Sequence, residues 1–599
     1  MKEEIKIGPL ELAILSKKFE AIIGEMTNTV LRTARSRIIS SARDFSCRVT
    51  TSDAKMICIA ESIPVHTGRG GMATEALNKL HPDLKEGDAY YDNSPYYGNT
   101  HHADHTIMVP VFHNGEYVFC VHTLAHQADT GNAIPVPYYI TATDMYNEGA
   151  IDFPVVKVQE NYKDIDDIIR MGRMKIRNPN VWYGDYLAIL GGARIGERRL
   201  KELCEKYGID YLKAFLDEWQ AYGERRMSEE LSKFPKGTWV GEAFYEPGLG
   251  TPPEGIRLKV KLTTIPEEGR VIVDLTDNID CQPCGLNLSE FTTGSAVLAG
   301  IFNCIDPETP KNEGTIGCVE IKMRENCLVG IPRFPASCSC ATTNIFDMLV
   351  IAVQNAITKM GKGYGMAEPV PIINAHCIFA GQDARRGNAP YVDSAVTGAF
   401  GGMGVPGHDG WLTYFCCGAS GVLRYEAIEM VEQTYPLHYE RDEVLPDTMG
   451  AGEWDGAPGC IMEVRDRFNP AFWPTIGVGG RFKGAWGGKD GSPPYDYVID
   501  LRTGEKREKP IAEMEGATYQ PYELLGSLSQ GGGGYGNPLD RDPERVRHRV
   551  REGWLSLERA RDVYGVVLGT KSEQYAVDYE ATKKLREELR QKEEREVKE

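Results

Sequence analysis

The sequence predicts a multi-lobed α/β to α+β protein, with mixed or antiparallel sheets and flanking helices. Three observations carry this. Short apolar stretches punctuated by Gly and Pro recur along the chain, hairpin signals outnumber β–helix–β alternation, and amphipathic helical blocks interrupt the pattern at 9–40 and 160–232. The chain has 599 residues, 42% hydrophobic and 26% charged, which is ordinary globular composition. At roughly 100–200 residues per domain this is length for about three lobes. The expected division is an N-terminal lobe at 1–250, a middle α+β lobe at 251–440, a Gly-rich lobe at 441–575 and a charged helix at 576–599.

In residues 9–40, Leu12, Leu15, Phe19, Ile22, Ile23, Met26, Val30 and Leu31 recur at three- and four-residue steps, one face of a helix. Arg32, Arg35 and Arg37 follow where the helix dipole favours cations. From Asp44 short strands are expected. The segment Arg198 to Tyr222 places Leu200, Leu203, Tyr207, Leu212, Phe215 and Trp219 on one stripe. PGLGTPP at 247–253 marks a boundary, after which Ile256–Leu262 and Arg270–Leu275 alternate as a hairpin would. Thr342 to Met360 reads as a helix, and 395–500 as mostly β. Phe400 to Phe415 fits a subunit contact, a substrate tunnel or solvent loops. From Glu580 the tail carries seven acids and seven bases, a solvated helix or a subunit clasp.

Charge narrows the partners. With 86 acidic against 67 basic residues the net is −19, unsuited to nucleic acid or anionic lipid. No apolar run approaches the ~20 residues of a bilayer span, and Met1-Lys2-Glu3-Glu4 lacks a secretory signal's apolar core. A cytoplasmic location is expected. Fifteen cysteines, an odd number, fit reduced thiols. Cys281-x-x-Cys284 is the one zinc-like spacing. Cys338-x-Cys340 has the wrong spacing and no quartet closes the site, so core thiols are the better reading.

Chemistry concentrates in Tyr91 to Asn132. Six of the chain's 12 histidines lie there: His101, His102, His105, His113, His122 and His126. Imidazole with carboxylate is the usual donor mixture for a divalent transition metal. Apolar stretches flank Asn114-Gly115, a strong hairpin signal. A regular two-residue turn would pair His113 with Glu116 and Asp104 with Ala125, sending Asp104 and His126 to opposite faces. If both bind one metal, a register shift or bulge must intervene. His101, Asp104 and His126 then offer two imidazoles and a carboxylate, leaving positions open for water and substrate oxygens. His102 and His105 read as bystanders or supports, His113 as solvated, and His122 as the reserve ligand.

The run from Asp92 to Asp129 resembles the B-type subunit of the ATP-dependent N-methylhydantoinase, 5-oxoprolinase and acetone/acetophenone carboxylase superfamily. So do Arg43-Asp44-Phe45-Ser46-Cys47, Pro64-Val65-His66-Thr67-Gly68, the elements at 306–314 and 332–336, and Gly534-Tyr535-Gly536-Asn537-Pro538 onward. The resemblance covers roughly 8–570. It implies a metal held by His101, Asp104 and His126, Mn²⁺ preferred and Zn²⁺ possible. It also implies ATP hydrolysed on a separate A-type (hydantoinase A-like) subunit, with a small accessory subunit as a further partner. No Gly-x-x-x-x-Gly-Lys-[Ser/Thr] loop occurs in this chain, which fits nucleotide binding elsewhere.

His126-Gln127-Ala128-Asp129 is more similar to the ketone carboxylases, while Asn99 and Asn132 depart from the family's glycines. The expectation is a ketone carboxylase subunit joining an enol to bicarbonate-derived CO2. His66, His122 and Asp129 are candidates for orientation or proton transfer, with Asp44 a weaker one, and a structural role is open for each. The alternatives are an ATP-dependent cyclic amide hydrolase and a non-enzymatic structural subunit.

Overall fold

The computed structural model describes residues 5–60, 63–371, 377–398 and 401–596. Helix α1 (Pro9–Thr33) buries Leu12, Leu15, Phe19, Ile22, Ile23, Met26 and Val30, the predicted stripe. It stops at Thr33 rather than running to 40. The buried carboxylate of Asp185 accepts the backbone N–H of Arg35 (2.5 Å) and of Ser36 (3.1 Å), holding Ala34 and Ser36 extended. A single turn, Arg37–Ser40, follows. The stripe read across Arg198 to Tyr222 belongs to two helices, α2 (Pro179–Tyr207) and α3 (Ile209–Leu231). Gly208, with φ +80°, joins them in a conformation open mainly to glycine.

The sheet that carries the histidines has seven antiparallel strands. They are β1 (Phe45–Thr51), β2 (Met56–Ala60), β3 (Ala89–Asp92), β4 (Asp104–His113), β5 (Glu116–His126), β6 (Val156–Glu160) and β7 (Lys163–Asp164), in the order β2-β1-β5-β4-β3-β6-β7. Their alternation divides the sheet. Val121 and Thr123 face α1 and α2, which come close at two glycines. A Cβ on Gly192 would sit 2.6 Å from a methyl of Val30, and one on Gly196 would sit 2.6 Å from the Met26 sulfur. The opposite face, with Asp104, Thr106, His122 and His126, lies under the 64–71 loop, the helix Met72–Leu80 and helix α4 (Glu290–Phe302).

A four-stranded sheet follows, with β8 (Gly237–Tyr245), β9 (Ile256–Ile265), β10 (Arg270–Asp274) and β11 (Val319–Lys322) in the order β11-β10-β9-β8. The predicted β9–β10 hairpin is present, and β10 pairs with β11 in parallel, so this sheet is mixed. Helix α5 (Ile345–Thr358) packs on it so closely that a Cβ on Gly241 would lie 1.8 Å from the Ala352 carbonyl oxygen.

Beyond residue 377 short antiparallel strands alternate with glycine-lined loops. A Cβ on Gly456, Gly491 or Gly532 would stand about 2 Å from a facing backbone oxygen, so main chains here pack directly on one another. The charged tail is helical over Tyr579–Glu596. The main buried cluster includes side chains from Leu12 to Leu525. Among the described residues there are 14 α-helices, and none is long and apolar enough to cross a membrane.

Candidate metal centre

The β4–β5 hairpin turns at Asn114 (φ +53°) and Gly115 (φ +80°), the left-handed pair that a two-residue hairpin turn needs. His113 pairs with Glu116 and Phe112 with Tyr117, as a regular turn dictates. The register then shifts, because Val111 pairs with Phe119 and Val118 is left over as a bulge. From there to the mouth the pairing is the one metal binding requires, with Asp104 opposite His126. Strand β1 adds a third arm along β5, with Phe45 beside Ala125.

His101, Asp104 and His126 converge with their ligand atoms within 4.8 Å of one another, all buried. A second set meeting the same criterion, Asp44, His66 and Asp104, shares the aspartate. Each member is oriented by neighbours. The Ser339 carbonyl accepts from His101 Nδ1 at 2.9 Å, so Nδ1 carries the proton and the Nε2 lone pair faces Asp104 Oδ2 at 3.4 Å. The Thr100 hydroxyl donates to that same Oδ2. His66 Nε2 lies 3.2 Å from it and its Nδ1 lies 2.7 Å from the Ser46 hydroxyl. A carboxylate only accepts, so His66 donates through Nε2 and takes the Ser46 proton at Nδ1. His126 stacks on Tyr138 at 5.4 Å.

These donors fit a cation. Both ring nitrogens of His126, Asp104 Oδ1 and Asp44 Oδ1 are buried with no hydrogen-bond partner, a costly arrangement unless something positive sits among them. The electrostatics agree. Burial disfavours charge on His101, yet Asp104 pulls its basicity up. Burial likewise opposes ionisation of Asp104, and His101 with His66 hold it well below the usual range. Burial pushes His126 down to about 3, so the ring stays neutral with the lone pair of one nitrogen free. Burial, and then Asp104, push Asp44 up to about 7.

The other predicted residues sit elsewhere. His122 shares the face but turns to Thr74, its Nε2 2.8 Å from the hydroxyl. Asp129 accepts from the Arg177 backbone (2.6 Å) and guanidinium (2.8 Å) and pins the hairpin's exit. His102 contacts Glu148 (2.9 Å), His105 contacts Tyr91 (2.7 Å), and His113 is half-buried beside the turn. Cys284 is buried, Cys281 is half-buried, and no metal-ligand set forms around them among the described residues. The Cys338–Cys340 segment contributes its Ser339 carbonyl instead.

Beside the ligands an apolar pocket opens, walled by Ile38, Ile63, Val65, Val396, Phe415 and Leu423, with Asp44, His66, Asp104 and His126 on one side. Phe415 is thus a pocket wall, while Phe400 lies outside the described residues. Sequence reasoning ranked Asp44 low and missed Tyr138 and Ser339. The β1 element Asp44-Phe45-Ser46 was visible, but its distance from the hairpin was not.

The hydantoinase B/oxoprolinase family profile matches residues 8–538. The chain is 29% identical to the beta chain of the caprolactamase of Pseudomonas jessenii, over 94% of this chain and 96% of that one. The crystal structure of the ATP-dependent caprolactamase from that organism superposes with a TM-score of 0.85 over 97% of this chain and 100% of that one, at 28% identity. The B-type subunit of a putative D-/L-hydantoinase from Pseudomonas sp. (strain NS671) is 28% identical, with 97% and 98% covered. The acetophenone carboxylase delta subunit of Aromatoleum aromaticum is 24% identical, with 97% and 89% covered. The protein belongs to the hydantoinase B/oxoprolinase family.

Proposed function

We propose that this chain is the metal-bearing subunit of an ATP-dependent hydrolase that opens a cyclic amide. The observation that carries it is the set of orphaned donor atoms on Asp44, Asp104 and His126 bordering an otherwise apolar pocket. His101, Asp104 and His126 would hold a divalent cation, with Asp44 completing the set. Two imidazoles with carboxylates suit Mn²⁺ or Zn²⁺. Such a cation, when bound, polarises carbonyl oxygens and activates water.

The chain's own residues supply the rest. Thr100, Ser46 and Ser339 fix the ligand orientations, so little reorganisation accompanies substrate entry. His66, donating through Nε2 to Asp104, holds that carboxylate in place at the edge of the pocket. The aliphatic and Phe415 walls take an apolar ring and exclude bulk water. Nucleotide chemistry is assigned to a separate ATP-binding subunit, in keeping with relatives that are named as single subunits of larger enzymes.

A ketone carboxylase is the second reading. The resemblance that favours it rests on Gln127 and Asp129 beside His126, and neither of those two residues lines the pocket. Gln127 N–H donates to the Ala103 carbonyl (2.7 Å) and Asp129 is tied to Arg177. The caprolactamase beta chain is 29% identical, against 24% for the acetophenone carboxylase delta subunit. Both readings are tested by supplying the purified complex with ATP and either a lactam or hydantoin, or a ketone with labelled bicarbonate. A ring-opened product from the cyclic amide is expected. Label in an acid-stable carboxylate, with cyclic amides inert, overturns the proposal.

A further inference from the structure

Arg48 lies two residues beyond Ser46 on the same face of β1 and is 2% exposed. Buried arginines are ordinarily paired with a carboxylate or saturated with carbonyl oxygens. Among the described residues this one has no ion pair, its Nε and Nη2 have no hydrogen-bond partner, and its guanidinium carbon lies 5.3 Å from the centroid of the Phe291 ring. A buried guanidinium with unused N–H groups is a donor fork in want of an acceptor.

The neighbours sharpen that reading. Arg48 pairs across the strands with His122, whose Nδ1 is also buried and unpartnered. Its Nε2 meets the Thr74 hydroxyl at 2.8 Å, and that hydroxyl meets Thr50 at 2.8 Å. Where the Thr74 hydroxyl donates to Nε2, Nδ1 carries the proton and adds a donor on the same face; where Thr74 accepts from Nε2, the guanidinium supplies the donors alone. The nearby carboxyl of Asp92, on β3, makes no ion pair with Arg48 among the described residues. A permanent cation buried with unused donors calls for an anion with several acceptor oxygens.

We propose that Arg48 and His122 form a buried small-oxyanion site, for a phosphate- or carboxylate-class anion, behind the metal centre on the same face of the sheet. At about 3.3 Å per strand residue, Arg48 stands roughly 13 Å along β1 from Asp44. The site is therefore distinct from the cation's own ligands. It is independent of whether the substrate is an amide or a ketone.

The test compares thermal unfolding of the full chain with inorganic phosphate and with acetate, against chloride at matched ionic strength. Wild type is expected to gain a saturable rise in midpoint with at least one of the two, which also identifies the class. Arg48→Met is expected to lose that response while keeping its metal content. Metal-stripped wild type is expected to retain it. Selenate soaked into wild-type crystals should give an anomalous peak within hydrogen-bond distance of the Arg48 guanidinium, which serves if Arg48→Met fails to fold. A wild-type response no larger than chloride's overturns the proposal. So does a response that survives in Arg48→Met and vanishes on metal removal, because the anion then belongs to the metal.

Discussion

Removing the cation should destabilise the protein by an amount the site itself sets. Four buried atoms, both ring nitrogens of His126 with Asp104 Oδ1 and Asp44 Oδ1, lack partners among the described residues. Each unsatisfied buried group costs about 1–3 kcal/mol. One His126 nitrogen can face the ion and the two carboxylate oxygens can join it, so roughly 3–9 kcal/mol is at stake. Binding linkage gives a similar scale, about 4 kcal/mol when free metal exceeds its dissociation constant a thousandfold. For a chain of this length unfolding cooperatively, at about 2.1 cal/mol/K per residue, 4 kcal/mol corresponds to a midpoint shift of about 3 °C. The assay is calorimetry on wild type and His126→Ala, each with bound metal and after chelation. Chelation should lower the wild-type midpoint by about 3 °C or more and readdition of Mn²⁺ or Zn²⁺ should restore it. His126→Ala should shift far less, because it has already lost a ligand and no longer buries an unpartnered ring. Equal chelation shifts in both proteins, or none in wild type, would refute the idea that these atoms are held for a cation.

Two further outcomes follow from local geometry. Burial raises the Asp185 carboxyl to about 6, against the N–H groups of Arg35 and Ser36 that pull it down. A raised pKa contributes stability below the unfolded value near 4 that is lost as pH climbs through 6, and Asn keeps an acceptor without the charge. Asp185→Asn should therefore gain about 1–2 kcal/mol relative to wild type between pH 5 and pH 7.5, read as a difference in calorimetric midpoints; a gap that narrows with rising pH contradicts this. In Gly68→Ala the new Cβ would fall 2.4 Å from Ser295 Oγ and 3.0 Å from the Phe291 carbonyl oxygen. Overpacking of this kind costs about 1–3 kcal/mol, and the displaced loop carries His66. Lower stability with a weakened metal affinity is expected, and unchanged values in both would show that the loop has room to spare.

The hairpin was legible because its constraints are local. Asn114-Gly115 fixes the turn, and parity counting from that turn shows that Asp104 and His126 share a face only if one residue is extruded. Val118 is that residue. Asp44 and His66 were harder to place. They reach Asp104 through the β1–β5 register and a loop packed on α4, contacts that span about 80 to more than 200 residues of sequence and have no periodic signature. The helix break at Ala34 was hidden for the same reason, since its cause, Asp185, lies 150 residues away.

The same distinction bears on substrate choice. Motif letters near the histidines differ between branches of the family, and they invite the inference that they read the substrate. In this fold Gln127 and Asp129 secure the exit of β5 to Ala103 and Arg177, a task set by backbone geometry. The walls of the pocket come instead from Ile38, Ile63 and Val65, from Val396, and from Phe415 and Leu423, in separate stretches of chain. Exchanging those walls between relatives should move specificity. Exchanging the residue at 129 should move stability of the hairpin and leave specificity in place, and exchanging the one at 127 should leave the backbone bond to Ala103 intact.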